Sequence, residues 1–247
     1  MKILTLNTWQ ERGPWQARWE VILQVIRILK PDVIAFQELF NQFWALEIKK
    51  RIGLPTMLFP EEHAGLVLYS RYPVSLWQVM KLSPSPLEDY GRYVLWAELK
   101  MQGKEFFVFN THLSWKLEDG ASRMRQLQEI LHLAREKVPD QESILVGDLN
   151  APPHAPEIQW FVREGKYQDL FSKFHPGRPG CTWDNRNYYA ANSHHKMPDR
   201  RIDQILIRSG GSSSLLKKPS SCDLVYNTPH PSGIWASDHF GVLADFK

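Results

Sequence analysis

Short polar groupings interrupt the apolar segments of this 247-residue chain, and they carry the residue types that bind ions, fix anions and move protons. They are Asn7, Gln37-Glu38, Asn110-Thr111-His112-Leu113, Gly147-Asp148-Leu149-Asn150, Asp203 in Arg201-Ile202-Asp203, and Ser237-Asp238-His239. All but Asp203, which lies inside the strand-like run Arg201 to Ile207, stand at an end of a strand-like apolar run. In open α/β architectures the carboxyl ends of strands are where sites assemble, because loops converge there over a rigid floor. Most positions also have a structural reading. Glu38 can cap a helix, Asp148 or Asn150 can form an Asx turn in Asp148-Leu149-Asn150-Ala151-Pro152-Pro153, and His112 and His239 taken singly can be satisfied structural histidines. Asp203 resists such a reading, since a carboxylate flanked by isoleucines in a strand must be paired or exposed.

The elements that must position these residues follow from periodicity. Lys2 to Asn7 reads as a strand, Trp15 to Leu29 as an amphipathic helix ended by Pro31, and Asp32 to Gln37 as a buried strand. Asn41 to Arg51 suits a second helix capped by Asn41. From Gly65 the pattern turns strand-like, in Leu66 to Tyr69, Val74 to Leu82, Tyr93 to Met101 and Glu105 to Thr111, with Gln102-Gly103 as a hairpin turn. Ala121 to Lys137 is a helix, Ser143 to Gly147 a short buried strand, and Ile202 to Ile207 and Phe240 to Phe246 two more strands. Residues 164 to 200 and 209 to 234 are rich in Gly, Pro, Ser and Asn, so they are expected to form loops over one face. Mixed α and β order with many strands implies two packed sheets flanked by helices.

Composition bounds the classes. An apolar fraction of 43%, a charged fraction of 23% and a mean hydropathy of -0.39 exclude a fibre and wholesale disorder. No run approaches the roughly 18 to 20 apolar residues of a membrane-spanning helix. Met1 to Asn7 moves straight into a strand pattern without an apolar leader, and the two cysteines, Cys181 and Cys222, form no Cys-x-x-Cys pair. The expectation is a cytoplasmic protein, one domain over residues 1–247, acting as a monomer. Net charge is +3 but unevenly spread: residues 1–150 hold 18 Lys and Arg against 18 Asp and Glu, and residues 163–218 hold 11 against 5. The basic stretch also carries Trp183, Tyr188, Tyr189, His194 and His195. Such interleaving can bind a phosphate backbone and stack on bases, or it can be a solvated loop region with some buried aromatics.

Taken in order from residue 3 to residue 246, Leu4-Thr5-Leu6-Asn7-Thr8-Trp9, Gln37-Glu38, Asn110-Thr111-His112-Leu113, Gly147-Asp148-Leu149-Asn150, Arg201-Ile202-Asp203 and Ser237-Asp238-His239 resemble the endonuclease/exonuclease/phosphatase superfamily. That group includes DNase I-like nucleases, AP endonucleases, deadenylases, inositol polyphosphate 5-phosphatases, neutral sphingomyelinases and tyrosyl-DNA phosphodiesterases. The resemblance implies a DNase I-like α/β fold, a four-layer α/β sandwich of two packed mixed β-sheets flanked by helices, and metal-dependent hydrolysis of phosphoesters. It implies Glu38 as a direct ligand of Mg²⁺, with Mn²⁺ the second candidate, Asp238 in or just outside the metal's shell, and Asn7 completing the metal's surroundings or holding the phosphate. Asp148 would orient or deprotonate the attacking water, and Asn150 and His112 would donate to phosphoryl oxygens. His239 would contact the phosphate or act as base, with Asp203 fixing its tautomer; which of Asp148 and His239 takes the proton stays open.

The segment Cys181-Thr182-Trp183-Asp184-Asn185, followed by Arg200-Arg201, is similar to a stretch in tyrosyl-DNA phosphodiesterases where an aromatic at the Trp183 position lines the groove. Trp183 and Arg200 are therefore the expected substrate contacts. The implied substrate is nucleic acid, at ends or in single strands. The alternative is a sphingomyelinase-type phospholipase C acting on phospholipid, with Trp235 touching a membrane. A binding protein without catalysis is disfavoured by the intact polar set.

Overall fold

A computed structural model describes residues 1–61, 63–138, 142–209, 216 and 218–247. Its first half runs β1 (Lys2–Asn7), α1 (Trp15–Leu29), β2 (Val33–Gln37), α2 (Gln42–Ile52), β3 (Thr56–Leu58), β4 (Val67–Ser70), β5 (Val74–Leu82), β6 (Arg92–Met101) and β7 (Lys104–His112). The second half runs α3 (Gly120–Lys137), β8 (Ser143–Asp148), α4 (Pro156–Gly165), β9 (Gln168–Asp169), α5 (Leu170–Phe174), α6 (Tyr188–Ala191), β10 (Asp203–Arg208), β11 (Pro219–Val225) and β12 (Gly241–Phe246). Local signals explain several boundaries. Asn41 caps α2 by accepting from Trp44 N at 3.0 Å, Lys30 closes α1 in the left-handed region just before Pro31, and Gln102 and Gly103 take the paired positive φ of a tight hairpin.

The period of two along the central strands decides the layering. Ile3, Val33 and Ala35 of one sheet meet Val108, Ile144, Val146 and Ile205 of the other in one wholly apolar cluster. The alternate residues Leu4, Leu6, Ile34 and Phe36 point outward under Trp19, Ile22 and Ile26 of α1 and Ala45 and Ile48 of α2. On the other side Trp96, Phe107, Phe109, Leu145 and Leu206 lie under Leu127, Ile130 and Leu131 of α3 and Ile158 and Phe161 of α4. Both faces of both sheets are thus covered, giving the expected four layers. Cutting one of these buried leucines or isoleucines to alanine costs about 2–5 kcal/mol.

Each sheet is mixed and six-stranded, in the orders β11-β12-β1-β2-β4-β3 and β5-β6-β7-β8-β10-β9. Within the apolar interface the sheets are joined by amides: Gln37 Nε2 donates to Asn110 Oδ1 at 2.7 Å, and Asn110 Nδ2 donates to the carbonyls of Phe36 and Val67. Breaking one member strands its buried partner, so this network fixes how the sheets sit together.

Two sequence expectations need correction. Residues 209–234 were expected to be loop, yet β11 lies within them and pairs with β12 from Pro219 to Val225; residues 210–215 and 217 lie outside the described residues. The stretch 164–200, likewise expected as loop, contains β9, α5 and α6. Short elements at a sheet edge bury few side chains and leave little periodicity to read. No helix of the described residues is long and apolar enough to cross a membrane.

Candidate active site

Strand register gathers the polar groupings at one rim. In the second sheet His112 at the end of β7 pairs with Asp148 at the end of parallel β8, and Asp148 pairs with Asp203 at the start of antiparallel β10. In the first sheet Asn7 ends β1 beside Gln37, with Glu38 the next residue. Antiparallel β12 starts next to the end of β1, so Asp238 and His239 arrive at the same place, and Ser237 Oγ donates to the carbonyl of Asn7 at 2.7 Å. The rims meet through Asn7, whose Nδ2 donates to Asp148 Oδ2 at 3.1 Å and to Glu38 Oε1 at 3.3 Å.

Backbone strain marks the same positions. Glu38 and Asn150 hold φ of 59° and 51°, and such a conformation costs a non-glycine residue about 1–3 kcal/mol. Gly147 has φ of 136°, and a Cβ there would lie 2.0 Å from the Thr111 carbonyl oxygen. Only glycine lets β8 run this close to β7 while turning Asp148 into the rim. The Asx turn expected at Asp148 is present as well, with Asn150 N donating to Asp148 Oδ1 at 3.0 Å. Asn150 Nδ2 is fixed on the Leu113 carbonyl at 3.0 Å.

His239 stands at the centre of the rim, between Asp203 and Asp148. Its Nδ1 donates to Asp203 Oδ2 at 2.9 Å, and its Nε2 lies 3.9 Å from Asp148 Oδ2. Burial alone would lower its pKa, but the charges of Asp203 and Asp148 and the hydrogen bond to Asp203 raise it to about 10. Burial, with the Asp203 charge adding to it, pushes Asp148 up to about 7. Burial and then Glu38, working against His239, push Asp238 up to about 6. His112, with Nε2 3.4 Å from Asp148 Oδ2, is held neutral by burial, Arg92 and His239.

The donor set fits a hard cation. Glu38 and Asp238 repel one another across the rim, and Asp203 Oδ1 is buried with no hydrogen-bond partner. Asp148, Asp203 and His239 also bring three ligand atoms within 4.8 Å of one another. In that trio His239 Nδ1 and Asp203 Oδ2 are engaged with each other, whereas the carboxylates of Glu38 and Asp238 face one another across the rim and are the better cation ligands, with Asn7 beside them.

These residues floor a cleft of about 680 Å³ whose walls include Trp9, Phe40, Tyr90, Tyr93, Trp115, Trp183, His195 and Arg200. Trp183 presents little of its face: it is 8% exposed and meets the His239 ring edge-on, with centroids 5.2 Å apart. Arg200 Nη1 reaches the Asn150 carbonyl at 3.5 Å and its Nε has no partner. Of the basic stretch, Arg201 is consumed by a bidentate pair with Asp169.

Sequence reasoning missed Arg18 and Arg123. Arg18, wholly buried in α1, donates to the carbonyls of Thr8, Trp9, Gln10, Arg12 and Ala236, which holds the β1–α1 loop in the cleft wall. Arg123 in α3 donates to the carbonyls of Ser114, Lys116 and Leu117 and pairs with Glu157 at 2.8 Å. The signal was present: each arginine interrupts the apolar stripe of its helix, beside Trp19 and Ile22 or beside Leu127.

Comparison with known proteins agrees with this geometry. The sequence profile of the Endonuclease/Exonuclease/phosphatase family matches residues 4–239. Tyrosyl-DNA phosphodiesterase 2 of Mus musculus is 26% identical over 232 residues, covering 90% of this chain and 59% of its own length, so the chain spans about three fifths of that relative. The crystal structure of D. rerio TDP2 complexed with single-strand DNA product superposes with a TM-score of 0.81 at 19% identity, over 100% of this chain and 98% of that one. Beta toxin of Staphylococcus aureus superposes almost as well, with a TM-score of 0.78 at 19% identity and complete coverage of both chains. Profile and fold together place the chain in the endonuclease/exonuclease/phosphatase family.

Proposed function

We propose that residues 1–247 form one catalytic domain, a divalent-metal-dependent phosphodiesterase that hydrolyses nucleic acid at ends or in single strands by attack of water on phosphorus. The observation that carries this reading is the meeting of Glu38, Asp148 and the His239–Asp203 pair, drawn from two sheets, at the floor of one cleft. A nucleic-acid substrate is supported by the tyrosyl-DNA phosphodiesterase relative, by the aromatic cleft walls and by the positive excess over residues 163–218. Trp235, which a membrane-touching enzyme would use, is half-buried and stacked on Phe240 with centroids 5.7 Å apart.

Glu38 and Asp238 would hold Mg²⁺, with Mn²⁺ the second candidate, and Asn7 would stand beside the ion, its Nδ2 on Glu38 and Asp148 and its oxygen accepting from Trp9 N. When bound, such an ion neutralises the non-bridging oxygens and acidifies water. The chain's own residues do the rest. Asp148 takes the proton of the attacking water, and a carboxyl raised to about 7 suits a base working near neutral pH. His239, kept protonated between Asp203 and Asp148, donates to a phosphoryl oxygen, and Asp203 holds its ring. Neutral His112 and Asn150 flank Asp148 and donate to the same oxygens. Arg200 meets the phosphate from the cleft wall, and Trp183 braces the His239 ring from the side.

The test is a substrate panel of bis-p-nitrophenyl phosphate, single-stranded DNA, RNA and sphingomyelin, each with Mg²⁺ or Mn²⁺. Hydrolysis of the small diester and of single-stranded nucleic acid is expected. Hydrolysis of sphingomyelin alone would overturn the nucleic-acid reading.

A further inference from the structure

Three tryptophans line the cleft, and they differ in what covers their faces. Trp183 is 8% exposed and locked edge-on to His239. Trp9 is held by Tyr189, stacked at 4.8 Å, and by the guanidinium of wholly buried Arg18, also at 4.8 Å. Trp115 is different. Its ring is contacted by the imidazole of His195, at 4.5 Å and tilted by 49°, and by the ammonium of Lys116 at 4.2 Å. His195 is exposed and Lys116 only half-buried, so both side chains can swing into solvent without stranding a buried polar group.

The backbone beneath Trp115 is fixed where its cover is not. Trp115 N donates to Glu88 Oε1 at 2.5 Å, Ser114 N donates to Gln126 Oε1 at 3.1 Å, and Arg123 binds the carbonyls on either side, of Ser114 and Lys116. Trp115 follows His112 by three residues, and even fully extended chain of that length spans only about 11 Å. A rigidly seated aromatic under a removable cover, this close to the proton-handling groups, is a preorganised stacking platform.

We propose that Trp115 is a ring-binding subsite for an unpaired nucleobase adjoining the scissile phosphodiester, and that the His195 imidazole stands in the base's place until substrate displaces it. This deepens the nucleic-acid reading and rests on it. Lys116 beside the ring supplies a cation for the phosphate that accompanies the base. Because every base has a π face, the subsite selects unpaired over paired nucleic acid with little regard to base identity.

The test is fluorescence anisotropy of labelled hexathymidylate in Mg²⁺, titrated with the Asp148→Asn protein as parent and with the same protein carrying Trp115→Ala, Trp115→Phe or His195→Ala. Trp115→Ala is expected to bind about 5-fold to 100-fold more weakly than the parent, and Trp115→Phe to stay within about 3-fold of it, as expected for base stacking. His195→Ala should bind as tightly as the parent or more tightly. Parental affinity in Trp115→Ala would overturn the platform and leave the nucleic-acid reading standing. Equal losses in Trp115→Phe and Trp115→Ala would overturn stacking as the contact, and a loss in His195→Ala matching Trp115→Ala would overturn displacement. If the parent itself fails to bind, the subsite and the nucleic-acid reading fall together, and hydrolysis of bis-p-nitrophenyl phosphate by the unsubstituted protein then shows whether phosphodiesterase chemistry survives.

Discussion

The two sheets contribute unlike halves of the site by the same construction. In each, a central strand ends at the rim, a loop forms the cleft wall, and the fourth residue of the following helix is a buried arginine that binds the loop's carbonyls: Arg18 for the β1–α1 loop and Arg123 for the β7–α3 loop. The difference is in charge. Arg123 is neutralised by Glu157, with both side chains 5% exposed, so on the second-sheet half the staple only positions. Arg18 hydrogen-bonds to carbonyls, and its charge acts on Asp238 and Glu38. The half that carries the candidate cation ligands is therefore the half whose scaffold keeps an unpaired positive charge, a scaffold device turned into an electrostatic one.

The largest break strikes the contact where the halves meet, between His239 of the first sheet and Asp203 of the second. His239→Ala should lose about 10² to 10³ in kcat on bis-p-nitrophenyl phosphate, the span associated with removing one preorganised donor to a developing charge. Because Asp203 acts through His239, the double variant with Asp203→Ala should lose little more than His239→Ala alone. Fully additive losses would give Asp203 a separate role.

A smaller break separates the staples by stability. Arg123→Met strands a buried Glu157 and should cost about 3–5 kcal/mol by urea unfolding, most of it recovered when Glu157→Leu is added. Arg18→Met has no hydrogen-bonded carboxylate whose removal could rescue it, so adding Asp238→Asn should recover none of its loss. Rescue of Arg18→Met by that change would erase the distinction between the halves.

Smaller still, Trp183→Ala should lower kcat about 10-fold on the small diester and on an oligonucleotide alike, as loss of a supporting neighbour does. A rise in KM confined to the oligonucleotide would instead make Trp183 a base-contacting residue. Outside both halves, Gly103→Ala, with φ of 78° and open space around it, should cost about 1 kcal/mol of stability and leave kcat unchanged.

What was legible in the sequence follows from what leaves a local pattern. The central strands could be read because each buries both faces, and the rim residues because they break those apolar runs at the ends. The Asp203 argument needed only the cost of burying a charge, and its partner in the structure is His239. β11 and α6 were not legible, since one is an edge strand and the other four residues long. Cleft walls were least legible of all: Trp9 and Trp115 sit in loops, and whether a ring is locked or free depends on residues such as Tyr189 and His195, far along the chain.

The central claim is that a divalent cation held through Glu38 completes the rim. Its direct test is bis-p-nitrophenyl phosphate hydrolysis by the unsubstituted protein and by Glu38→Ala, in Mg²⁺ and in excess EDTA, with Mg²⁺ binding followed by titration calorimetry. Turnover is expected in Mg²⁺, abolished by EDTA and returned by restored Mg²⁺, with weakened Mg²⁺ binding and lost turnover in Glu38→Ala. Undiminished turnover in EDTA, or unchanged Mg²⁺ binding and activity in Glu38→Ala, would contradict the claim.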